Sequence, residues 1–342
     1  MKNFSLLVIA LFSFANVFAG NGGPDAYGYT WEDSNEPSGP NYAWVDITGR
    51  AGVQTAAGLA DDNAIVGMAG IGFDFHYYWS DYNQIKIGSN GWLGFDNTSN
   101  IAHCFSGLPT AGGTADNFLA PMLSDLNFGG AGNSGQVMYW TNSLDSFVVS
   151  YLNVPFWSVS APGYAGSNSF QVILNAADSS VTFQYGSLTP ASISGNCGND
   201  AVVGLENVTG NIGLEVFTDT IPPSNFAIRF NYPAVALISI PDATPLWNDN
   251  ANNRAAIIIE QSPFVPITKI ENVGNANITT NTDINAQILD IGLSTVYSGS
   301  DSISFLGYGQ SHVSTFSSWT PSAPGLYRFQ SSTVNGEDIN PS

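Results

Sequence analysis

Nucleophilic catalysis needs a base held against a serine or cysteine, and this sequence offers three histidines for that work, His76, His103 and His312. None stands in a nucleophile elbow, because no G-x-S-x-G run occurs. His103 precedes Cys104, the one place where a His and Cys dyad could form. His76 lies in FDFHYYW, whose alternation makes it a half-exposed strand residue, and His312 reads as a surface strand residue. A zinc centre would want HExxH or paired CxxC spacing, and neither is present. The glycine-rich stretches lack the Gly-Lys-Ser/Thr ending of a phosphate cradle. Asp125 and Glu206 could act as the acid and base of glycoside hydrolysis only at a fixed separation across a cleft. Each also has a plain structural use, Asp125 in an Asx-type turn and Glu206 at a strand end. The expectation is a protein that is not an enzyme and carries no organic cofactor.

Hard-cation binding is the next chemistry to weigh. Asp25, Asp33, Glu36 and Asp46 crowd a short segment rich in Gly, Pro and Asn, where irregular backbone could add carbonyl ligands for calcium. Their spacing matches no EF-hand loop, and the same carboxylates would serve equally as solvated loop residues. Asp61 and Asp62 form a second acidic pair in a loop. Aromatic side chains offer recognition instead of reaction. The stretch NVPFWSVSAPGYAG at 153–166 breaks the strand pattern while holding Phe156, Trp157 and Tyr164, so it reads as a loop and a contact surface. In HYYW, alternation sets His76 and Tyr78 on one face and Tyr77 and Trp79 on the other, one pair outward.

The elements that must position these residues are strands. Short aromatic and β-branched runs of period two recur, as at 136–140, 147–152, 169–175, 181–185 and 226–232, separated by Gly, Asn, Ser, Asp and Pro. Ala177, Asp178 and Ser179 read as a hairpin turn. Thirty-six glycines leave no convincing amphipathic helix. A composition shift near Tyr232 and Pro233 divides residues 20–232 from residues 233–342, where a linker strand at 234–240 and a polar turn around 247–254 precede six or so further strands. The chain stops at Asn340, Pro341 and Ser342 in a turn-like sequence, so the second sandwich is expected to be truncated, short of its last strand.

Compartment follows from the first residues. Lys2, an apolar run from Leu6 to Phe18 and small residues ending at Ala19 read as a signal peptide over 1–19. The apolar run is too short for a membrane span, so no membrane insertion is expected after cleavage. In an oxidising compartment Cys104 and Cys197 are expected to pair as a disulfide. The closed loop of about 93 residues would stabilise the fold by roughly 4 to 5 kcal/mol in the chain-entropy model. Twenty-seven acidic against seven basic side chains give a net charge of −20, a field that repels phosphates and excludes nucleic acid as a partner.

Several of these runs, taken in order, carry a resemblance. Ser89, Asn90, Gly91 and Trp92 to Phe95, then NFLAPMLSDLN, Gly135 to Val137, SFQVIL at 169–174, FQYG at 183–186 and VVGLEN at 202–207 follow one another in the chain. Residues 84–217 thus resemble the nidogen-like extracellular domain. ENVGNANITTNTDINAQILD and the stretch from Val296 to Phe329 resemble the adhesion-type immunoglobulin-like (CARDB) domain of bacterial and archaeal surface proteins. The resemblance implies an all-β protein, a nidogen-like β-sandwich followed by a smaller immunoglobulin-like β-sandwich. It further implies a secreted or cell-surface binding or adhesion module whose partner is an extracellular protein or glycan. The alternative is the accessory part of a larger secreted hydrolase, a peptidase or glycosidase, whose catalytic domain lies outside this chain.

Overall fold

The computed structural model describes residues 20–96, 101, 105, 107–110, 116–189, 201–248, 256–259 and 263–337. The segment read as a signal peptide, His103 and both cysteines, Cys104 and Cys197, lie outside the described residues. Every element among the described residues is a strand. In chain order they are β1 (Asn21–Gly22), β2 (Thr30–Asp33), β3 (Gln54–Thr55), β4 (Ala69–Tyr77), β5 (Ser80–Ile87), β6 (Leu93–Gly94) and β7 (Phe118–Leu123). There follow β8 (Gln136–Thr141), β9 (Ser146–Trp157), β10 (Tyr164–Asn175), β11 (Ser180–Tyr185), β12 (Val202–Glu206), β13 (Gly213–Phe217) and β14 (Phe226–Asn231). The later part adds β15 (Ala243–Asn248), β16 (Ala256–Ile259), β17 (Ile267–Asn272), β18 (Thr282–Leu289), β19 (Thr295–Ile303), β20 (Ser311–Thr315) and β21 (Gly325–Asn335). No helix among the described residues is long and apolar enough to cross a membrane.

The first fourteen strands form two antiparallel sheets, one of eight in the order β1-β2-β14-β11-β10-β9-β8-β3 and one of six in the order β13-β12-β7-β6-β5-β4. Alternate residues of both sheets meet in one core: Phe147, Val149 and Tyr151 of β9 and Phe170, Val172 and Leu174 of β10 against Ile85, Leu119 and Leu205. Tyrosine hydroxyls tie the layers where the core has no water to offer. Tyr185 donates to the Pro121 carbonyl at 2.6 Å and Tyr151 to the Gly88 carbonyl at 2.7 Å. β7 is buried along its whole length because its second face packs a smaller cluster of Trp92, Ile101, Leu108 and Val202. On the eight-stranded sheet, Gln184 and Gln171 accept the Ala43 and Val45 N–H groups at 2.8 and 3.0 Å. Gln171 Nε2 also donates to the Val45 carbonyl and the Ser150 hydroxyl, so this segment is strapped to the sheet.

The second part is a smaller sandwich of a three-stranded sheet, β15-β17-β20, and a four-stranded sheet, β16-β21-β18-β19. Ile284, Ala286 and Ile288 point inward with period two against Ile270, Phe316 and Phe329. Tyr327 stacks edge-on against Trp319 at 5.0 Å and donates its hydroxyl to the Ala323 carbonyl at 2.8 Å, a corner contact of the kind sandwich folds use. β21 is an interior strand and the edges of its sheet are β16 and β19. The apolar cores change over between Ile240, in the first, and Ala243, in the second. The expected linker strand at 234–240 is absent: Leu237 N–H instead bonds the Tyr27 carbonyl, and the Asn275 side chain bonds the backbone of Ile238 and Ile240.

Candidate functional site

Four loops meet at one end of the larger sandwich: residues 56–66, the β5–β6 turn at 88–92, the β7–β8 connection at 124–135, and the β9–β10 turn at 158–163. The second of these is the Ser89, Asn90, Gly91 motif, and the reason for its glycine is local. Gly91 has φ +71°, and a β-carbon there would stand 2.1 Å from the Met122 carbonyl oxygen of β7. Asn90 and Ser89, both fully buried, are the fasteners. Asn90 donates to Asp62 Oδ1 at 2.8 Å and accepts from the Leu126 N–H at 3.1 Å. Ser89 Oγ donates to the backbone carbonyls of Asp61 and Asn63.

These contacts bring carboxylates from distant parts of the sequence together. Asp61, Asp62 and Asp125 each place an oxygen within 4.8 Å of the others, the one group of three metal-ligating side chains among the described residues. Such an all-oxygen set on irregular backbone has the chemistry for a hard divalent cation and no nitrogen or sulfur for zinc. The aspartate pair and Asp125 were both visible in the sequence, but 63 positions separate Asp62 from Asp125, and long-range contacts bring them together, among them Asn90, bonded to Asp62 and to the Leu126 N–H.

Aromatic residues border the same group, since the Trp157 N–H donates to the Asp125 carbonyl at 2.8 Å. The expected loop over 153–166 is shorter than its composition suggested. β9 runs on through Trp157 and β10 begins at Tyr164, with ladder irregularities between Ala165, Asn168 and Phe170 absorbing the bends. That continuity corrects one of the three surface residues. Neighbours on a strand point to opposite faces, so Phe156 enters the core at 2% exposure while Trp157 stays half-buried. Tyr164 pairs opposite Trp157, lies against Gly130 and donates its hydroxyl to the Ala131 carbonyl at 3.1 Å. Val159, at the tip, is 77% exposed.

The carboxylates first singled out for calcium do not converge. Asp25 Oδ1 accepts the N–H groups of Tyr27, Gly28 and Tyr29 and its Oδ2 the Tyr78 hydroxyl, so it organises its own turn. Burial raises its carboxyl above the ordinary value against those bonds. Asp33, buried in β2, accepts the Asn35 N–H at 2.7 Å, and Glu36 bonds the Asn21 amide. Asp46 accepts the Thr48 hydroxyl and N–H, which hold it below the ordinary value. Asp25, Asp33 and Asp46 each serve a local turn, the commonest use of Asp in such backbone.

The glycosidase geometry also fails. Glu206 pairs with Phe118 and Val202 with Leu123, so Asp125 and Glu206 sit beyond opposite ends of β7. At about 3.3 Å per strand residue they are roughly 20 Å apart, more than twice what either glycosidase mechanism uses. His76 Nδ1 meets Asp81 at 2.6 Å with its ring against Tyr232, and His312 Nε2 lies 3.7 Å from Asp301. The predicted outward pair in HYYW is corrected too. Tyr77, Tyr78 and Trp79 are all buried, because Tyr78, at φ +51°, and Trp79 form the two-residue β4–β5 turn and break the alternation.

A family model described as NIDO related matches residues 37–235, the span that holds all four loops, and ends before the second sandwich. No curated protein and no solved structure matches the chain.

Proposed function

Because this chain belongs to the NIDO-related family, we propose that it is a secreted or cell-surface, non-catalytic adhesion module that takes an extracellular protein or glycan at the four-loop end of its larger sandwich. A NIDO-related module is an extracellular binding-type unit, and the observation that carries the finer reading is the convergence at that end. Half-buried Trp157 and Tyr164 and the exposed Val159 lie on the β9–β10 turn and its strand ends, and the Trp157 backbone N–H bonds the carbonyl of Asp125, whose carboxylate meets those of Asp61 and Asp62. Aromatic faces give apolar contact area at low entropic cost, and carboxylates accept hydrogen bonds from sugar hydroxyls or pair with basic side chains. The smaller sandwich is read as the immunoglobulin-like, adhesion-type partner unit, supported by its three-plus-four-strand architecture and the Tyr327 corner.

A glycan and matrix-protein array probed with the purified chain tests this. A specific ligand is expected, with Trp157→Ala lowering its affinity by about tenfold or more, a hot-spot loss, at unchanged melting temperature. Turnover of polysaccharide or peptide substrates by the purified chain, or an unaltered Trp157→Ala profile, would contradict it.

A further inference from the structure

A second group of carboxylates lies at the opposite end of the six-stranded sheet. Glu206 ends β12 fully buried. Its Oε2 accepts the Thr110 N–H at 2.5 Å, whereas its Oε1 is buried with no hydrogen-bond partner. Asp116, two residues before β7, has its Oδ1 in the same condition. Thr110 links the two. The β-carbon position of Gly210 lies 2.2 Å from Asp116 Oδ1 and 3.3 Å from the Thr110 carbonyl oxygen, so both oxygens rest against one turn whose φ of +64° favours glycine. The Asp116 charge also reaches Glu206. Burial pushes Glu206 up to about 7, with the Asp116 charge adding to the rise, and burial together with the Asp96 charge raises Asp116.

Buried anionic oxygens without donors are rare in folded proteins, and each calls for an explanation. Neither of these carboxylates is paired with a lysine, arginine or histidine among the described residues. Protonation of Glu206 answers only half the difficulty, because the Asp116 carboxylate, with its own buried Oδ1, stays charged. A cation answers both halves. We propose that Glu206 and Asp116, with the Thr110 carbonyl oxygen, bind a calcium ion that fastens Thr110 and Asp116 to the end of β12. The three atoms are hard oxygen donors, mixed carboxylate and carbonyl, and they sit on irregular backbone, which suits calcium's flexible coordination. Magnesium demands near-ideal octahedral geometry, which this irregular backbone suits less well.

The test uses the purified chain, stripped with EDTA and titrated with calcium chloride, followed by thermal melts and calorimetry. Wild type is expected to melt higher as calcium rises. Glu206→Gln should abolish that rise, and Asp116→Asn should weaken calcium binding by about tenfold or more, since fewer ligand charges mean weaker sites. Asp290→Asn, in the β18–β19 turn of the smaller sandwich, should leave it intact. The proposal is overturned if wild type does not respond to calcium, if Asp116→Asn and any folded Glu206→Gln respond in full, or if Asp125→Asn, at the other end of the larger sandwich, alone removes the response. Should Glu206→Gln fail to fold, Asp116→Asn decides.

Discussion

Glu206 carries the residue-scale consequence that a titration can read. A carboxyl raised to about 7 in the native state, against 4.5 ordinarily, means that the folded protein binds more protons than the unfolded chain as pH climbs between those values. Its contribution is therefore fully present below about pH 4.5 and is lost as pH rises through about 7. In EDTA, wild type should lose on the order of 2 kcal/mol from this group between acid and mildly alkaline pH, while Glu206→Gln stays flatter over the same window. Asp116 and Asp25 are raised as well, from an ordinary 3.8, so the difference between wild type and variant is the readout. Denaturant melts of both at several pH values measure it, and parallel curves would remove Glu206 as the cause. Some of this scale was legible in advance. Trp157 and Tyr164 stood out because aromatics interrupted by Pro, Gly and Ser mark a surface turn, but Phe156 could not be told from Trp157 until the strand's continuity fixed its parity. The Asp25 to Asp46 run misled because nearness in sequence is not convergence in space. The Asp61, Asp62 and Asp125 group was hidden for the converse reason, being assembled by contacts far apart in sequence such as that of Asn90 with Asp62.

Elements with a buried face announced themselves, and those with none did not. β10, β11, β17 and β18 read directly because Ile, Val, Leu and Phe alternate with polar residues. β19, TVYSGSDSI, is an edge strand without a fully buried residue, so it has no apolar period to show. The Gln strap at 43–45 was silent for a different reason: two buried amides pairing with backbone leave no local pattern at all. That strap yields a prediction at its own scale. Gln171→Ala strands the Val45 N–H and carbonyl and the Ser150 hydroxyl at once, and should cost about 1–3 kcal/mol. Gln184→Ala releases only the Ala43 N–H and should cost less. A drop in denaturation midpoint at unchanged slope, larger for Gln171→Ala, is the expected result. Equal midpoints for the two variants would show that the strap does not hold the sheet.

At the scale of the whole molecule, two sandwiches share one short connection whose backbone is bonded from both sides, by Tyr27 and by Asn275. The all-β class was legible from the period-two runs and their turn signals, whereas the pairing order, with β14 lying between β2 and β11, was not. Pairing between strands far apart in sequence is set by the closure of the core, and no local signal encodes it. The charge of −20 is a field that repels phosphates, but it does not bear on which end of the sandwich would meet a partner; the proposed site rests on the loop convergence. The most direct test is a hydrogen-exchange footprint of the chain bound to whichever array ligand it selects. Slowed exchange should concentrate in residues 57–66, 88–92, 124–135 and 157–164, with the smaller sandwich unchanged. Protection confined to the smaller sandwich, or to the strapped face of the eight-stranded sheet, would contradict the placement of recognition at the loop end.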